Sequence, residues 1–457
     1  MTWPALAYRN KFTFLVVCVV ISALIIDTSI IKVYYLNVSI SSYHWSVIVF
    51  IIISIISIAG QHLLLAYAKK KNAEIRASKT LHLQGLQIAV ALIQYGLGTI
   101  IIIVSTQMLT LSRYNVAALI LASWISYGLS AALMGLLAHR LFSWFISNRN
   151  YVVLSYCFSC VFIGLNAVFT ILYVTYYLLN QPAIAMPHPG FNTPFVVATP
   201  LIITLSFGYS VSSIASFTAS WVATAILLHQ HSRKLGTVRY WLIVCIPLVY
   251  FLMQFQPLIL NLFLTFSQSE PLIFSILYTL VFTMSNPTGG ILFGIAFWVI
   301  ARKLPHGIVT REYLIISAIG FVLLFVSNQG IDLVSAPYPP FGLPTISFVG
   351  LASYLILTGI YSSAISVAEN SKLRRSIRSL AITESRLLDS IGSAHMEREI
   401  ESKVLQVVKA QQETLAEQNA IQPSLTEDDA KEYLAEVINE IKKQKDQPHN
   451  NKNHNNE

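Results

Sequence analysis

The feature that most constrains this chain is a succession of apolar segments, each about as long as a membrane-spanning helix. Ten can be drawn, at roughly 12–35, 46–67, 85–108, 116–138, 151–179, 196–229, 240–266, 272–301, 313–328 and 345–368. About 20 apolar residues in a helix cross about 30 Å of hydrocarbon. Charged residues make up only 11% of the chain. The sequence therefore predicts an all-α, polytopic helical membrane protein of about ten transmembrane helices, with the bilayer as its first partner.

The basic residues predict the orientation of these segments. Arg9 and Lys11 precede the first segment, and most other basic residues of the membrane part lie in alternate loops: Lys69, Lys70, Lys71, Arg76, Lys79, Arg140, Arg149, Arg233, Lys234, Arg239, Arg302, Lys303 and Arg311. Only Lys32 and Arg113 lie on the opposite side. Because basic loops stay in the cytoplasm, we expect both termini to be cytoplasmic in a cell membrane. The charge is +12 in residues 1–368 and −3 in 369–457, so anionic lipid accounts for the basic excess and no nucleic-acid partner is expected.

The polar tail after residue 368 predicts three further parts. Residues 369–420 form an amphipathic or coiled-coil helix, whose apolar positions follow alternating steps of four and three from Leu373 to Leu415, with a weak register at Gly392. Two interpretations stay open: pairing with a partner helix, or folding back on the inner face of the bundle. Residues 421–446 form a short docking helix, and 447–457 are disordered. The docking helix has one apolar stripe for a homodimer or partner protein, made of Tyr433, Leu434, Val437, Ile438 and Ile441.

Ionisable residues are scarce inside the predicted spans, and each is a candidate for function. Asp27 lies in the outer third of the first span. It is either an ion or proton site or an interfacial acid paired with Lys32. His62, beside Gln61 in the second span, is a second isolated candidate.

Uncharged polar residues indicate a possible binding site between the seventh and eighth spans. The run from Ser285 to Gly290 interrupts the eighth span, because proline removes a helix hydrogen bond and glycine loosens the backbone. Two broken or polar helices at membrane depth resemble how transporters build a site. The ligand-binding candidates are Gln254, Gln256, Asn261, Ser285, Asn286 and Thr288, together with Asp27. The alternative is a proline kink whose amides bond across a tight bundle.

Several other patterns are best interpreted as structural. Small hydroxyl residues recur every four positions in the sixth span, a spacing that allows close helix packing in lipid: Ser212, Ser216, Ser220 and Thr224. Trp45, Trp144, Trp241 and Trp298 lie near span ends, as interfacial tryptophans do. The four cysteines fall inside apolar segments, so no disulfide is expected. The outer loop 328–344 is either a ligand-facing cap or a rigid turn.

No catalytic constellation, metal site or cofactor motif appears in the sequence, so the chain is expected not to be an enzyme. His395 follows the membrane exit, where a sensor kinase places its phosphoacceptor, but its flanking residues differ and a surface histidine is the simpler interpretation. Three functions stay open. The first is a sensor or signalling adaptor that acts through the tail. The others are a secondary transporter for a neutral or weakly polar solute and a structural subunit of a membrane complex.

Three runs in the last third of the chain carry a family resemblance: 336–342, 361–367 and 372–378, with sequences APYPPFG, YSSAISV and KLRRSIR. They resemble uncharacterised multi-span membrane proteins of ammonia-oxidising archaea. The resemblance implies an archaeal plasma membrane and implies no activity.

Overall fold

The computed structural model describes residues 3–34, 43–75, 81–186, 199–229, 236–256, 283–304, 309–335, 338–369 and 385–419, with single residues at 277 and 281. The helices are α1 (Trp3–Tyr34), α2 (Tyr43–Ile75), α3 (Leu81–Leu111), α4 (Ala117–Asn148), α5 (Tyr151–Leu179), α6 (Pro200–Leu228), α7 (Thr237–Met253), α8 (Ser285–Lys303), α9 (Val309–Ser327), α10 (Gly330–Ser335), α11 (Leu343–Glu369) and α12 (Ser385–Asn419). A two-residue antiparallel pair, β1 (Tyr114–Asn115) and β2 (Ile184–Ala185), joins two loops.

Within the described residues, seven helical segments are long and apolar enough to cross a membrane: His44–Lys71, Gln84–Leu111, Ala117–Asn148, Tyr151–Leu179, Pro200–Leu228, Val309–Val334 and Leu343–Ala368. Two apolar helical segments are shorter, Phe14–Ile30 and Thr237–Met253. The chain is therefore an all-α, multi-pass membrane protein. The count of ten spans stays a prediction.

Helix α11 is the centre of the bundle. Between Leu343 and Ala368 every residue is buried except Tyr361 and Ser366, which are half-buried. It packs against α1, α2, α3, α4, α9 and the tail helix α12. A helix enclosed on all sides by other helices has little contact with lipid. Helices α1 to α8 each keep apolar side chains exposed, as a surface facing hydrocarbon requires, whereas α9 has no exposed residue.

Glycines bring α9 and α11 into backbone contact. A Cβ on Gly359 would lie 2.6 Å from the carbonyl oxygen of Tyr313 and 2.7 Å from the amide nitrogen of Ser317. A Cβ on Gly320 would lie 2.9 Å from the amide nitrogen of Ile356. Backbone atoms cannot rotate out of the way as side chains do. Close packing through small residues replaces the hydrophobic effect that is missing between helices in lipid.

The hydroxyl residues of the sixth span pack against α5, as their spacing predicts. Ser212, Ser216, Ser220 and Thr224 are all buried. The Ser220 hydroxyl lies 2.6 Å from that of Ser159, and the Asn166 amide donates to the Ser212 hydroxyl at 3.1 Å. These contacts confirm the prediction that the hydroxyl residues of the sixth span serve helix packing.

The tail helix α12 lies against the end of the bundle at which α11 ends. Its side chains Leu387, Leu388, Ile391 and Ala394 are buried, and three of these are predicted apolar positions of the tail. A Cβ on Gly392 would lie 2.8 Å from the Cβ of Val367. The described tail positions from 387 to 394 thus contact the bundle of the same chain, which supports the folded-back interpretation over pairing with a partner helix. Farther along, Ile400 and Val407 are exposed.

One prediction follows from the glycine contacts. Gly359→Ala places a methyl group against the backbone of α9, so the free energy of unfolding should fall by about 1–3 kcal/mol, the usual cost of overpacking. Chemical unfolding in mixed micelles measures this. Gly135→Ala is the matched control, because nothing lies within 4 Å of the Cβ position of Gly135. Equal stability of the two variants would contradict the close contact.

Candidate functional site

The most unusual polar group in the bundle is the carboxylate of Asp27 on α1. Its side chain is completely buried. Its Oδ2 accepts three hydrogen bonds from the start of α11: from the Gly342 amide at 3.0 Å, the Thr345 amide at 3.3 Å and the Thr345 hydroxyl at 2.6 Å. The first amides of a helix have no partner within the helix, and the N-terminus carries positive partial charge that favours an anion. Asp27 therefore caps α11 from another helix.

This position corrects the expectation that Asp27 is an interfacial acid, while its pairing with Lys32 stays a prediction. The carboxylate bonds to α11 in the interior, 315 or more positions away in sequence. The side chain of Lys32 lies outside the described residues. The Oδ1 atom of Asp27 has no hydrogen-bond partner among the described residues. One carboxylate oxygen thus holds the helix, and the other faces the buried interior.

The turn before α11 is part of the core. Tyr338 and Phe341 are buried, and the ring of Phe341 meets that of Phe50 edge to face at 5.8 Å. Tyr338 stacks on Tyr114, whose burial raises the pKa of its phenol well above the usual value. Gly342 has a φ of 91°, which L side chains rarely adopt. The loop 338–342 is therefore a packed turn, fixed in place between α1, α2 and β1.

A second acid lies beside this turn. Asp332, on α10, is completely buried. The Cβ position of Gly342 lies 3.1 Å from the amide nitrogen of Leu333 and 3.4 Å from the carbonyl carbon of Asp332. Asp332 also interacts electrostatically with Asp27, Tyr127 and Tyr209. The end of the bundle at which α11 begins thus holds two buried carboxyl groups on either side of one glycine turn.

The last turns of α11 contact the tail helix through aromatic and polar side chains. The Trp144 and Tyr361 rings stack at 6.1 Å, and the His395 ring meets both edge to face, at 6.2 and 5.8 Å. The Arg140 guanidinium lies 5.8 Å from the centre of the Tyr361 ring. The Ser147 hydroxyl donates to the Glu397 carboxylate at 2.8 Å. Helix α12 is therefore held by specific contacts from α4 and α11.

Two sequence interpretations change at this contact. Trp144 is 1% exposed and is not an interfacial tryptophan, because the tail helix and Tyr361 cover it. His395 is half-buried between two aromatic rings and is not a free surface histidine. Trp45, Trp241 and Trp298 remain exposed, as expected.

The predicted site between the seventh and eighth spans is described only in part. Helix α8 begins at Ser285 after a bend at Met284, so the run from Ser285 to Gly290 forms the first turns of this helix and does not itself interrupt it. Ser285 is buried, and its hydroxyl donates to Gln254 at 3.5 Å. Gln256 is exposed, Asn286 and Thr288 are half-buried, and the Thr288 hydroxyl bonds Met284 of its own turn. Asn261 lies outside the described residues.

Aromatic packing fills the space beside the start of α8. The rings of Phe217 and Phe251 stack at 3.9 Å, and Phe217 meets Phe293 at 5.4 Å. A Cβ on Gly289 would collide with the Phe217 ring. The described part of this region is therefore a tight apolar contact with one polar pair. The transporter site stays a prediction.

The other predicted surfaces and groups are placed as follows. The docking stripe Tyr433, Leu434, Val437, Ile438 and Ile441 lies outside the described residues. All four cysteines are free. Among the described residues, no group of three or more His, Cys, Asp or Glu side chains is arranged to hold a metal ion.

Comparison of the chain with protein-family models, curated proteins and solved structures gives no match. Any functional proposal for this chain therefore depends on the contacts within its structure.

The Asp27 cap gives a prediction for stability. Asp27→Ala leaves the amides of Gly342 and Thr345 without their acceptor in the interior, so the free energy of unfolding should fall by about 2 kcal/mol or more. Unfolding in mixed micelles measures the change. Thr28→Val is the control, since the Thr28 hydroxyl donates only to carbonyls of its own helix, at 3.2 and 3.1 Å. An equal loss in both variants would argue against the cap.

Proposed function

We propose that this chain is a non-enzymatic membrane sensor or signalling adaptor, in which α11 couples the outer acidic turn to the tail. The observation that carries the proposal is the position of α11. Asp27 holds its first turn, the tail helix contacts its last turns, and the helix is buried between these ends. A ligand or a change of membrane state at the outer end would act on the carboxyl pair and the turn 338–342.

The packing of α11 suits it to transmit a small displacement. Its backbone touches that of α9 at Gly320 and Gly359, so bending at these points is opposed by atoms that cannot move aside. Closely packed helices respond by discrete shifts or rotations of about 1–2 Å. Such a shift at Thr345 would move Tyr361 and Val367 against α12. The tail helix would then change its contact with Trp144.

We place the protein in the plasma membrane with both termini in the cytoplasm, on the basis of its basic loops and its resemblance to archaeal membrane proteins. The tail then presents its distal part to the cytoplasm.

We propose that the stripe on residues 433–441 binds a partner protein or a second copy. Deletion of residues 426–443 should abolish co-purification of that partner or self-association in crosslinking. Unchanged association after the deletion would exclude this stripe as the binding surface.

Coupling through α11 must be reciprocal, because linkage between two sites acts equally in both directions. Asp27→Asn should increase hydrogen exchange of the amides at 387–397, at the tail contact. Leu388→Asp, which places a charge at a buried tail position, should increase exchange at 343–350. Hydrogen exchange with mass spectrometry on the full chain in nanodiscs measures both.

Two controls separate coupling from general destabilisation. Ser220→Ala removes a buried hydroxyl pair between α5 and α6 and should leave hydrogen exchange in the tail unchanged. Val407→Asp is made at a tail position that is 57% exposed and should leave hydrogen exchange at residues 343–350 unchanged. If each end responds only to substitutions in its own vicinity, the coupling proposal is wrong.

A further inference from the structure

A lateral cleft between α2 and α3 combines an opening toward the lipid with buried polar groups. Its volume is about 200 Å³. It is lined by Ile58, Gln61, His62, Leu65, Gln94, Tyr95, Gly98, Thr99 and Ile102. The rim residues His62 and Tyr95 are exposed on the outer surface of the bundle, and the histidine Nδ1 lies 3.2 Å from the tyrosine hydroxyl.

Gln94 holds a buried acceptor in the wall of this cleft. Its side chain is 3% exposed, and its Nε2 donates to the Ser347 carbonyl of α11 at 2.7 Å. That bond fixes the orientation of the amide. The Oε1 atom has no hydrogen-bond partner among the described residues. A buried acceptor without a donor is costly, so the cleft favours a molecule that brings a donor to it.

The depth of the cleft limits the kind of donor. His62 is seven residues from Lys69 on α2, which places it about 10 Å farther into the membrane along the helix. A charged headgroup would lose its hydration at this depth at high cost, whereas a single neutral hydroxyl loses far less. The remaining lining of Ile58, Leu65 and Ile102 suits a hydrocarbon chain.

The volume limits how much of the molecule enters. About 200 Å³ is smaller than the roughly 300–1,000 Å³ of sites that enclose a drug-sized ligand. The polar end and the adjoining part of a chain fit, and the rest stays in the bilayer. The proposed site also explains why His62 is exposed on a surface that faces hydrocarbon, because this histidine lies at the entrance of the cleft.

We propose that the α2–α3 cleft binds a neutral, hydroxyl-bearing membrane lipid of the long-chain alcohol class, whose hydroxyl donates to Oε1 of Gln94 once the lining side chains move aside to uncover this buried atom. The His62–Tyr95 pair lies at the entrance, beside the hydroxyl. The apolar chain extends past Ile58 and Ile102 into the bilayer. This proposal is independent of the sensor function.

The test uses the full chain in liposomes with a photoreactive long-chain alcohol and its methyl ether, which lacks the donor. The alcohol should label the α2 and α3 peptides at least about fivefold more than the ether, as expected when one binding hydrogen bond is lost. A larger groove of about 480 Å³ between α1 and α2, lined mainly by apolar side chains, should be labelled equally by both probes.

Two glycines of α3 give matched variants. Gly98 lines the cleft and its Cβ position has Ile58 Cγ2 at 4.0 Å, so Gly98→Leu fills the space without removing a polar group. Gly96 is exposed and has nothing within 4 Å. Gly98→Leu should abolish the preference for the alcohol, and Gly96→Leu should retain it. Equal labelling by alcohol and ether in the unaltered protein, or equal behaviour of the two variants, would overturn the proposal.

Discussion

The structure depends on one interaction, the hydrogen bonds from the first turn of α11 to the carboxylate of Asp27. A helix that starts inside a membrane protein has amides that neither lipid nor its own carbonyls can satisfy. Asp27 meets this requirement with a carboxyl oxygen as acceptor, and the glycine at 342 permits the turn that aims the amides at it. With that end fixed, α11 can lie in the centre of the bundle and the other helices can pack around it.

The helices themselves could be predicted from the sequence because the bilayer sets their length. Apolar runs of about 20 residues form membrane-spanning helices in lipid. The four-residue period from Ser212 to Thr224 is a local pattern that indicates close helix packing. The start of α8 at Ser285 also has a local signal, since proline is tolerated in the first turn of a helix. These features depend only on residues close together in the chain.

The partners of the helices could not be predicted in the same way. Asp27 stands out in sequence as a rare buried acid, but its bond to Thr345 spans 318 positions and leaves no local signal. The nearby Lys32 was the obvious partner in sequence, and the helix start at Gly342 and Thr345 gave no local sign of its contact with Asp27. Asp332 was missed as a site residue because a Pro-rich outer loop suggests exposure. Likewise, the apolar positions of the tail were predicted, yet the same stripe fits a partner helix or the bundle.

The two ends of α11 are held by different kinds of force, so in the proposed coupling each end would respond to a different kind of change. The end near Asp27 depends on directional hydrogen bonds, which a new charge or donor beside Asp27 and Asp332 would alter strongly. The end near the tail depends on the fit of Tyr361, Trp144 and His395, which changes when the helix moves by about 1 Å. In the proposed coupling, an electrostatic change at one end would become a change of shape at the other, and the reverse. Because α11 is buried along its length, lipid does not compete with either set of contacts.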